Sequence, residues 1–370
     1  MSAQELTRTV AAFGLPGQRA SLRQPDGRSV SDTEWSQLLA NVSALRLPGF
    51  LLAAIEAGVL PVTESQHDQA RDLHLRFCRT VLWIERRLLE VAALLEHTGV
   101  DFLVLKGTAV AHLNYPDPSL RMFGDNDLLI RADQFADALE ALHGAGYVRP
   151  VSEARPGFDR RFGKGATLHG NDGDELDLHR TLVFGSFGFL IDTDELFATS
   201  VRFPLGGRTL LALGPETRLL HACYHAALGD PRPRLGSVRD IAQMLLEGDH
   251  DTDVALDLIH RWQAEAVVAR AVDLCRRHLG VEARDPITAA ADAHVPSRRE
   301  ARAIASYVGA NRSFAAKVIA SLAYLPDIRA RAALLYAAAF PEPGFAQDHG
   351  GRRGLPWLRR GVRSLLLRRR

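Results

Sequence analysis

Asp101-Phe102-Leu103-Val104-Leu105-Lys106-Gly107-Thr108-Ala109-Val110, followed closely by Arg121-Met122-Phe123-Gly124-Asp125-Asn126-Asp127-Leu128-Leu129-Ile130, is the stretch on which the reading of this 370-residue chain turns. An apolar run ends in Lys106-Gly107-Thr108, a helix-forming segment follows, and a second apolar run opens with two aspartates one residue apart. That layout predicts a strand, a phosphate-binding turn, a helix and an acidic strand. Side chains alternate along a strand, so Asp125 and Asp127 project from one face and can reach one cation or two adjacent ones. Hard oxygen ligands of this kind favour magnesium or manganese over zinc. Gly107 lets the backbone approach a ligand, and Thr108 is expected at the helix N-cap, where free N–H groups face an anion. Lys106 adds a positive charge beside them.

A third carboxylate is expected from a separate strand. Beyond the turn Asn171-Asp172-Gly173-Asp174 the chain reads Glu175-Leu176-Asp177-Leu178-His179-Arg180, a strict alternation. Leu176 and Leu178 are placed inward, and Asp177 and His179 share the opposite face. Asp177 is expected to complete the metal site, as a ligand or as the base for an acceptor hydroxyl. His179 is expected to orient it or to contact a phosphate. A lone Asp-x-Asp is a weak signal, and a surface hairpin with solvated aspartates competes with it. Three clustered carboxylates repel one another without a cation, which argues against a functionless cluster.

Lys106-Gly107, Tyr115-Pro116-Asp117-Pro118, Arg121 ahead of Gly124-Asp125-Asn126-Asp127-Leu128-Leu129, and Leu176-Asp177-Leu178-His179 together resemble the uncharacterised bacterial nucleotidyltransferases of the DNA polymerase beta superfamily. Some of these accompany natural-product clusters, lasso peptides among them. The likeness extends through Leu219-Leu220-His221 to His225, Arg239-Asp240-Ile241 and Phe340-Pro341-Glu342-Pro343. The superfamily's Gly-Ser after the first strand is Lys-Gly here, as is usual in this family. Asn126 stands where Ile or Val is commoner. The resemblance implies that His225 and Asp240 meet at the rim of the active site.

Working outward, 46% hydrophobic and 24% charged residues describe an ordinary globular protein able to bury a sizeable core. A net charge of +1 argues neither for nor against nucleic acid, and no nucleic-acid partner is expected. Cys78, Cys223 and Cys275 lack metal-ligand spacing and fit a reducing cytoplasm as buried small hydrophobes. No signal-peptide pattern opens the chain and no apolar run is long enough to span a bilayer, so a soluble, cytoplasmic protein is expected.

The first 32 residues, punctuated by Gly14-Leu15-Pro16-Gly17 and Pro25-Asp26-Gly27, read as a loosely packed lead-in. Asp32 or Thr33 is expected to cap a helix carrying Trp35, Leu38 and Val42, and a long amphipathic helix is expected from Glu64 to His97 with Arg79, Glu85, Arg86, Arg87 and Glu90 on a solvated face. Arg131-Ala132-Asp133 is read as the start of a helix through His143, and Tyr147-Val148 as the opening of another strand. Between Pro150 and His169 a loop holds Arg155, Arg160, Arg161 and Lys164, with Arg149 just before it, basic enough to steer a triphosphate or equally to be merely solvated. The phenylalanines around Phe184-Gly185-Ser186-Phe187-Gly188-Phe189 are read as an irregular packed wall. His221 and His225 stand one helical turn apart, but without a third ligand they are read as core-packed rather than zinc-binding. Helices are expected over Val238–Glu247, Val254–Leu279 and Ser297–Leu322. The basic end from Arg352 to Arg370 offers peripheral membrane contact or a docking helix.

The expected fold is α+β: a polymerase-beta-like nucleotidyltransferase core over 99–212, a small mixed sheet with helices, flanked by helical regions at 1–98 and 213–370. The expected activity is metal-dependent transfer of a nucleoside monophosphate from an NTP to a hydroxyl or phosphate of a small molecule or peptide. Mg2+ or Mn2+ would be held by Asp125, Asp127 and Asp177, and the NTP by Lys106, Gly107, Thr108, Arg121 and His179. Arg121 is expected to help neutralise the leaving pyrophosphate. Transfer of a sugar or phosphoryl group onto a modified peptide by the same metal site, or a catalytically silent nucleotide-binding partner, are the alternatives.

Overall fold

The structure is a computed structural model that describes residues 2–16, 30–229, 232–281, 284–309 and 312–348. The basic segment from Arg352 onward, Gly17 and the turn at Pro25-Asp26-Gly27 lie outside the described residues. Four helices come first: α1 (Ala3–Ala12), α2 (Asp32–Ala44), α3 (Pro48–Glu56) and the long α4 (Glu64–His97). The central part is β1 (Phe102–Leu105), α5 (Lys106–Asn114), β2 (Asn126–Ile130), α6 (Phe135–Gly144), α7 (Phe158–Arg161), β3 (Gly165–His169), β4 (Glu175–His179), α8 (Thr193–Ala198), β5 (Val201–Leu205) and β6 (Arg208–Ala212). Helices follow: α9 (Pro215–Leu228), α10 (Leu235–Glu247), α11 (Thr252–Arg261), α12 (Glu265–Leu279), α13 (Pro286–Ala293), α14 (Arg298–Val308), α15 (Phe314–Ser321), α16 (Ile328–Ala339) and α17 (Pro343–Asp348). The fold is α+β, a mixed sheet with helical regions on both sides of it in the chain, as the sequence led us to expect.

The sheet has six strands in the order β3-β4-β2-β1-β6-β5. β2 runs parallel to β4 and β1 parallel to β6, while β1–β2, β3–β4 and β5–β6 are antiparallel. Alternation assigns each strand residue to a face. Phe102, Val104, Leu128, Ile130, Leu176 and Leu178 pack with Leu88, Val91 and Leu95 of α4 and Phe135 and Leu142 of α6. Leu103, Leu105 and Leu129 point the other way, into a larger core shared with helices from both ends of the chain, from Leu6 and Val10 in α1 to Tyr307 in α14. Asp127 shares that second face with Leu129, so the acidic residues emerge where sheet and flanking helices meet.

Several local expectations are corrected. The N-terminal lead-in holds a real helix: α1 carries a Ser2–Glu5 capping box and buries Leu6 and Val10 completely. Full burial of such a side chain contributes roughly 2 kcal/mol, which explains why this short helix docks. α2 is capped by Ser31 with Glu34, a reciprocal box, rather than by Asp32 or Thr33. α4 has the bounds read from the sequence, but its charges are not all solvated. Arg87 reaches Glu90, Asp172 and Asp174, and Glu85 meets His112 at 2.7 Å, because the β3–β4 turn and α5 pack along this helix. α6 begins four residues after Arg131, and Val148 makes only an isolated bridge to His169. The loop read from Pro150 to His169 contains α7 and β3. The stretch 254–279 is two helices, broken at Trp262–Ala264 where Gln263 takes a positive φ of 49°. Likewise 297–322 divides into α14 and α15, with Gly309 closing the first.

Candidate functional site

The register of β2 against β4 builds the site. Asp127 and Asp177 are direct partners across two parallel strands, followed by Leu128 with Leu178 and Leu129 with His179. Cross-strand partners share a face, so Asp127 and Asp177 stand side by side. Asp125 lies just ahead of β2, two residues before Asp127, and Glu175 two residues before Asp177. Ligand atoms of Asp125, Glu175 and Asp177 come within 4.8 Å of one another, and so do those of Asp127, Asp177 and His179. Asp177 belongs to both groups. Thr167 of β3, opposite Asp177, donates its hydroxyl to Asp177 Oδ1 at 2.5 Å, which fixes one oxygen and leaves the other to a ligand.

Asp127 is 3% exposed and heavily engaged. The Lys106 ammonium lies on Oδ1, and His179 Nε2 lies 2.6 Å from the same oxygen. Burial pushes this carboxyl's pKa up, but Lys106 and the His179 hydrogen bond overcome that and hold it well below the usual carboxylate range. Asp125 behaves oppositely: burial and the charge of Asp127 raise its pKa, against the pull of Lys106 and Arg46. Burial, with Lys164 and Lys106 nearby, pushes His179 down to about 4, so the ring is neutral and its Nε2–H donates to Asp127. The sequence pairs His179 with Asp177 or a phosphate; its observed partner is Asp127.

Lys106 sits at the strand-to-helix junction with φ +41°, a left-handed conformation that costs a non-glycine residue on the order of 1 kcal/mol or more. Burial would lower its pKa, but Asp127, then Asp125 and Asp177, more than offset this and raise it. The sharp junction starts α5 at Lys106 itself, with Leu105 at the N-cap and no side-chain cap. Thr108 is therefore not the cap; it lies buried in the first turn, 2% exposed, because the helix begins three residues earlier than expected. The N–H groups of that turn remain at the positive end of the helix. Gly107 lines the cavity, yet its lack of a side chain is dictated by packing: a Cβ there would fall 2.8 Å from Phe123 Cγ and 2.9 Å from its Cβ.

A cavity of about 670 Å³, open to solvent, adjoins Asp125 and Asp127. Apolar groups line one part, including Leu47, Phe50, Tyr115 and Met122; Arg46, Lys106, Arg121 and Arg239 line another. Arg121 Nε and Nη2 each donate to Asp240 at 2.8 Å, and Tyr115 donates to the same carboxylate. Arg239 donates to the carbonyls of Ala11 and Phe13 and lies over the Phe50 ring, 3.8 Å from its centroid. His225 lines this cavity, whereas Asp240 acts behind it through Arg121. His221 is buried, and its Nε2 has no hydrogen-bond partner.

Three contributors carried no assigned role in the sequence. Glu175 was legible in principle, since period-two alternation puts it on the face of Asp177. Lys164, one of a string of basic loop residues, turns toward Asp127, Asp177 and Asp125; burial and the neighbouring Lys106 push it down to about 8. Three others of that string are structural: Arg149 pairs with Asp159, Arg155 lies over Tyr336 and Arg161 over Phe162. Arg46, between α2 and α3, has no local sequence signal at all.

Four carboxylates, with Lys106 and Lys164 among them, form a donor set of hard oxygens that could hold divalent cations beside a cation-lined cavity suited to phosphate. Among the described residues no helix is long and apolar enough to cross a membrane. The sequence pattern of the family described as uncharacterised nucleotidyltransferase matches residues 31–280, more than half of the chain. No curated protein matches. Among solved structures, an antigenic nucleotidyltransferase-like protein from Paracoccidioides brasiliensis is 16% identical, covering 55% of this chain and 97% of that one. Its TM-score of 0.29 is too low to carry an argument.

Proposed function

This chain belongs to the family of uncharacterised nucleotidyltransferases, and from that premise we propose that it moves a nucleoside monophosphate from an NTP to a hydroxyl or phosphate of a small molecule or peptide, with Mg2+ or Mn2+. The observation that carries the reading is the pairing of Asp127 with Asp177 in parallel register, flanked by Asp125 and Glu175, opposite the Lys106 turn. An all-oxygen set of carboxylates fits a hard divalent cation, and Asp125, Asp127, Asp177 and Glu175 would hold it. Such a cation neutralises the phosphates and favours in-line displacement.

The chain's own groups then have distinct tasks. Lys106 and the first-turn N–H groups of α5 hold the phosphates. Lys164 adds positive charge from the β3 side. Arg121, already paired with Asp240, contributes a field at the cavity wall toward the leaving pyrophosphate rather than a free fork. His179 holds Asp127 in place through its Nε2–H. Asp177, with one oxygen fixed by Thr167, takes the acceptor's proton as the acceptor oxygen bonds to the α-phosphorus and the bond to the β-phosphate oxygen breaks. Proximity and alignment supply most of the rate, since the chemistry needs no covalent intermediate.

The resemblance to nucleotidyltransferases of natural-product clusters favours a peptide or small-molecule acceptor over nucleic acid. We place the protein in the cytoplasm, in keeping with Cys78, Cys223 and Cys275 as free thiols. The proposed units remain 1–98, 99–212 and 213–370, with the outer two sharing a core. The test is incubation with magnesium and each NTP beside the products of neighbouring genes, read by mass spectrometry for an added nucleotide. Absence of both pyrophosphate release and any mass gain across all four NTPs and both metals would count against the assignment.

A further inference from the structure

The Arg46 side chain holds an unusual position that its sequence context does not explain. It joins α2 to α3 with φ +58°, a left-handed backbone that glycine or asparagine would adopt at less cost. Two backbone hydrogen bonds fix this turn, from Arg46 N–H to Ser43 O at 3.2 Å and from Leu47 N–H to Val42 O at 2.9 Å. The result aims the side chain away from the helices and across to the acidic strand. There its guanidinium covers Gly124: a Cβ at that position would lie 2.7 Å from Arg46 Cζ and 3.1 Å from Nη1. Gly124 has no positive φ, so a side chain there would meet the Arg46 guanidinium rather than a backbone constraint, and would push it aside.

Arg46 is also under-used where it lies. Its nearest carboxylate is Asp125, with Nη1 3.7 Å from Oδ1, too long for a hydrogen bond. Its side chain is 41% exposed at the cavity that Lys106, Gly107, Asp125 and Asp127 also line. The neighbouring arginines differ: Arg121 is forked onto Asp240, and Arg239 is held by two carbonyls. A planar guanidinium with donors to spare, set against a glycine beside an acidic cluster, is arranged for bidentate capture of a phosphate.

We propose that Arg46 is a phosphate-binding residue of the site, delivered across the cavity from the N-terminal helices, and that Gly124 is the gap just ahead of the acidic strand that admits it. The phosphate is one of the triphosphate tail of the nucleotide. This rests on the nucleotidyltransferase reading and adds to it a residue from outside the sheet. A second consequence is coupling between the flanking helices and nucleotide, because Arg46 moves with the α2–α3 junction.

The test is calorimetric titration of the full chain with inorganic tripolyphosphate in magnesium, repeated with ATP. Arg46→Ala should weaken binding of both about 10- to 100-fold, as expected for lost hydrogen bonds to a charged group. Arg46→Lys should recover only part of the loss, because a point charge replaces a fork. Gly124→Ala should weaken binding in the wild-type background by displacing the guanidinium, but cause no further loss in the Arg46→Ala background. Thermal melts of Arg46→Ala should match the wild type, since an exposed pair at this separation contributes little. If Arg46→Ala binds tripolyphosphate within twofold of wild type while Asp125→Asn loses it, the proposal fails and the functional reading stands. A wild-type chain that binds no tripolyphosphate in magnesium or manganese overturns both.

Discussion

The ammonium of Lys106 rests on the carboxylate of Asp127, joining the end of β1 to β2 inside the site. This pair makes the two aspartates of the Asp-x-Asp motif unequal. Asp127 is buried and balances a lysine, and it also receives His179; Asp125 sits at the cavity, opposed by Asp127's charge.

The two isosteric variants should therefore separate. Asp127→Asn should abolish nucleotidyl transfer and also destabilise the fold by about 3–5 kcal/mol, because it strands a buried ammonium. Asp125→Asn should abolish transfer yet leave the fold as stable or more so at neutral pH. Its folded pKa is raised, so its charged form is the less favourable one above the ordinary carboxylate range. Urea denaturation of both variants, beside the transfer assay, checks this; equal stabilities would refute the inequality.

Glu175 should tune cation affinity. Its carboxylate groups with Asp125 and Asp177, and Glu175→Gln should raise the magnesium concentration for half-maximal activity about tenfold with smaller change in maximal rate. Metal titrations of initial rate report it, and an unaltered midpoint removes Glu175 from the site.

Gly107→Ala should act through packing. The added methyl meets Phe123 at its Cβ and Cγ, which cannot swing aside as a flexible tip could. A loss of about 1–3 kcal/mol in chemical denaturation is expected. Removing the Cγ in Gly107→Ala/Phe123→Ala should cost less than the sum of the two single substitutions, because the cavity left by the ring accommodates the added methyl.

Acid should destabilise the protein before the ordinary carboxylates titrate. Burial and nearby lysines keep His179 neutral down to about 4 and hold His221 and His225 well below 6.5. The unfolded chain binds these protons first, so the stability that neutral imidazoles contribute is complete above about 6.5 and is lost as pH falls toward the folded values. Asp125, whose folded pKa is raised, works in the opposite sense. Melting temperature should fall between pH 7 and pH 5, and His221→Gln should flatten that slope.

Lys164→Met should weaken triphosphate binding while sparing the fold, since the lysine pays a burial cost that methionine does not. Calorimetric titration with ATP in magnesium, beside a thermal melt, distinguishes this from a structural role, for which the melt would drop instead.

What the sequence determined by itself was the local part. Period-two alternation put Asp177 and His179 on one face of β4, apolar runs marked β1 and β2, and helical spacing bounded α4 from Glu64 to His97. These features depend on neighbours a few residues apart, which a sequence displays directly. The hairpin of β5 and β6 went unread because its strands are short and half exposed, with little to mark them until β6 pairs with β1. Only the tertiary structure decided that His179 serves Asp127, that Lys164 and not its basic neighbours turns inward, and that Arg46 crosses to Gly124. Each depends on groups 13 to 78 residues apart meeting through the register of β2 on β4 and the docking of helices on the sheet. Such meetings are fixed by the packing of the whole core, and no short stretch of sequence encodes them.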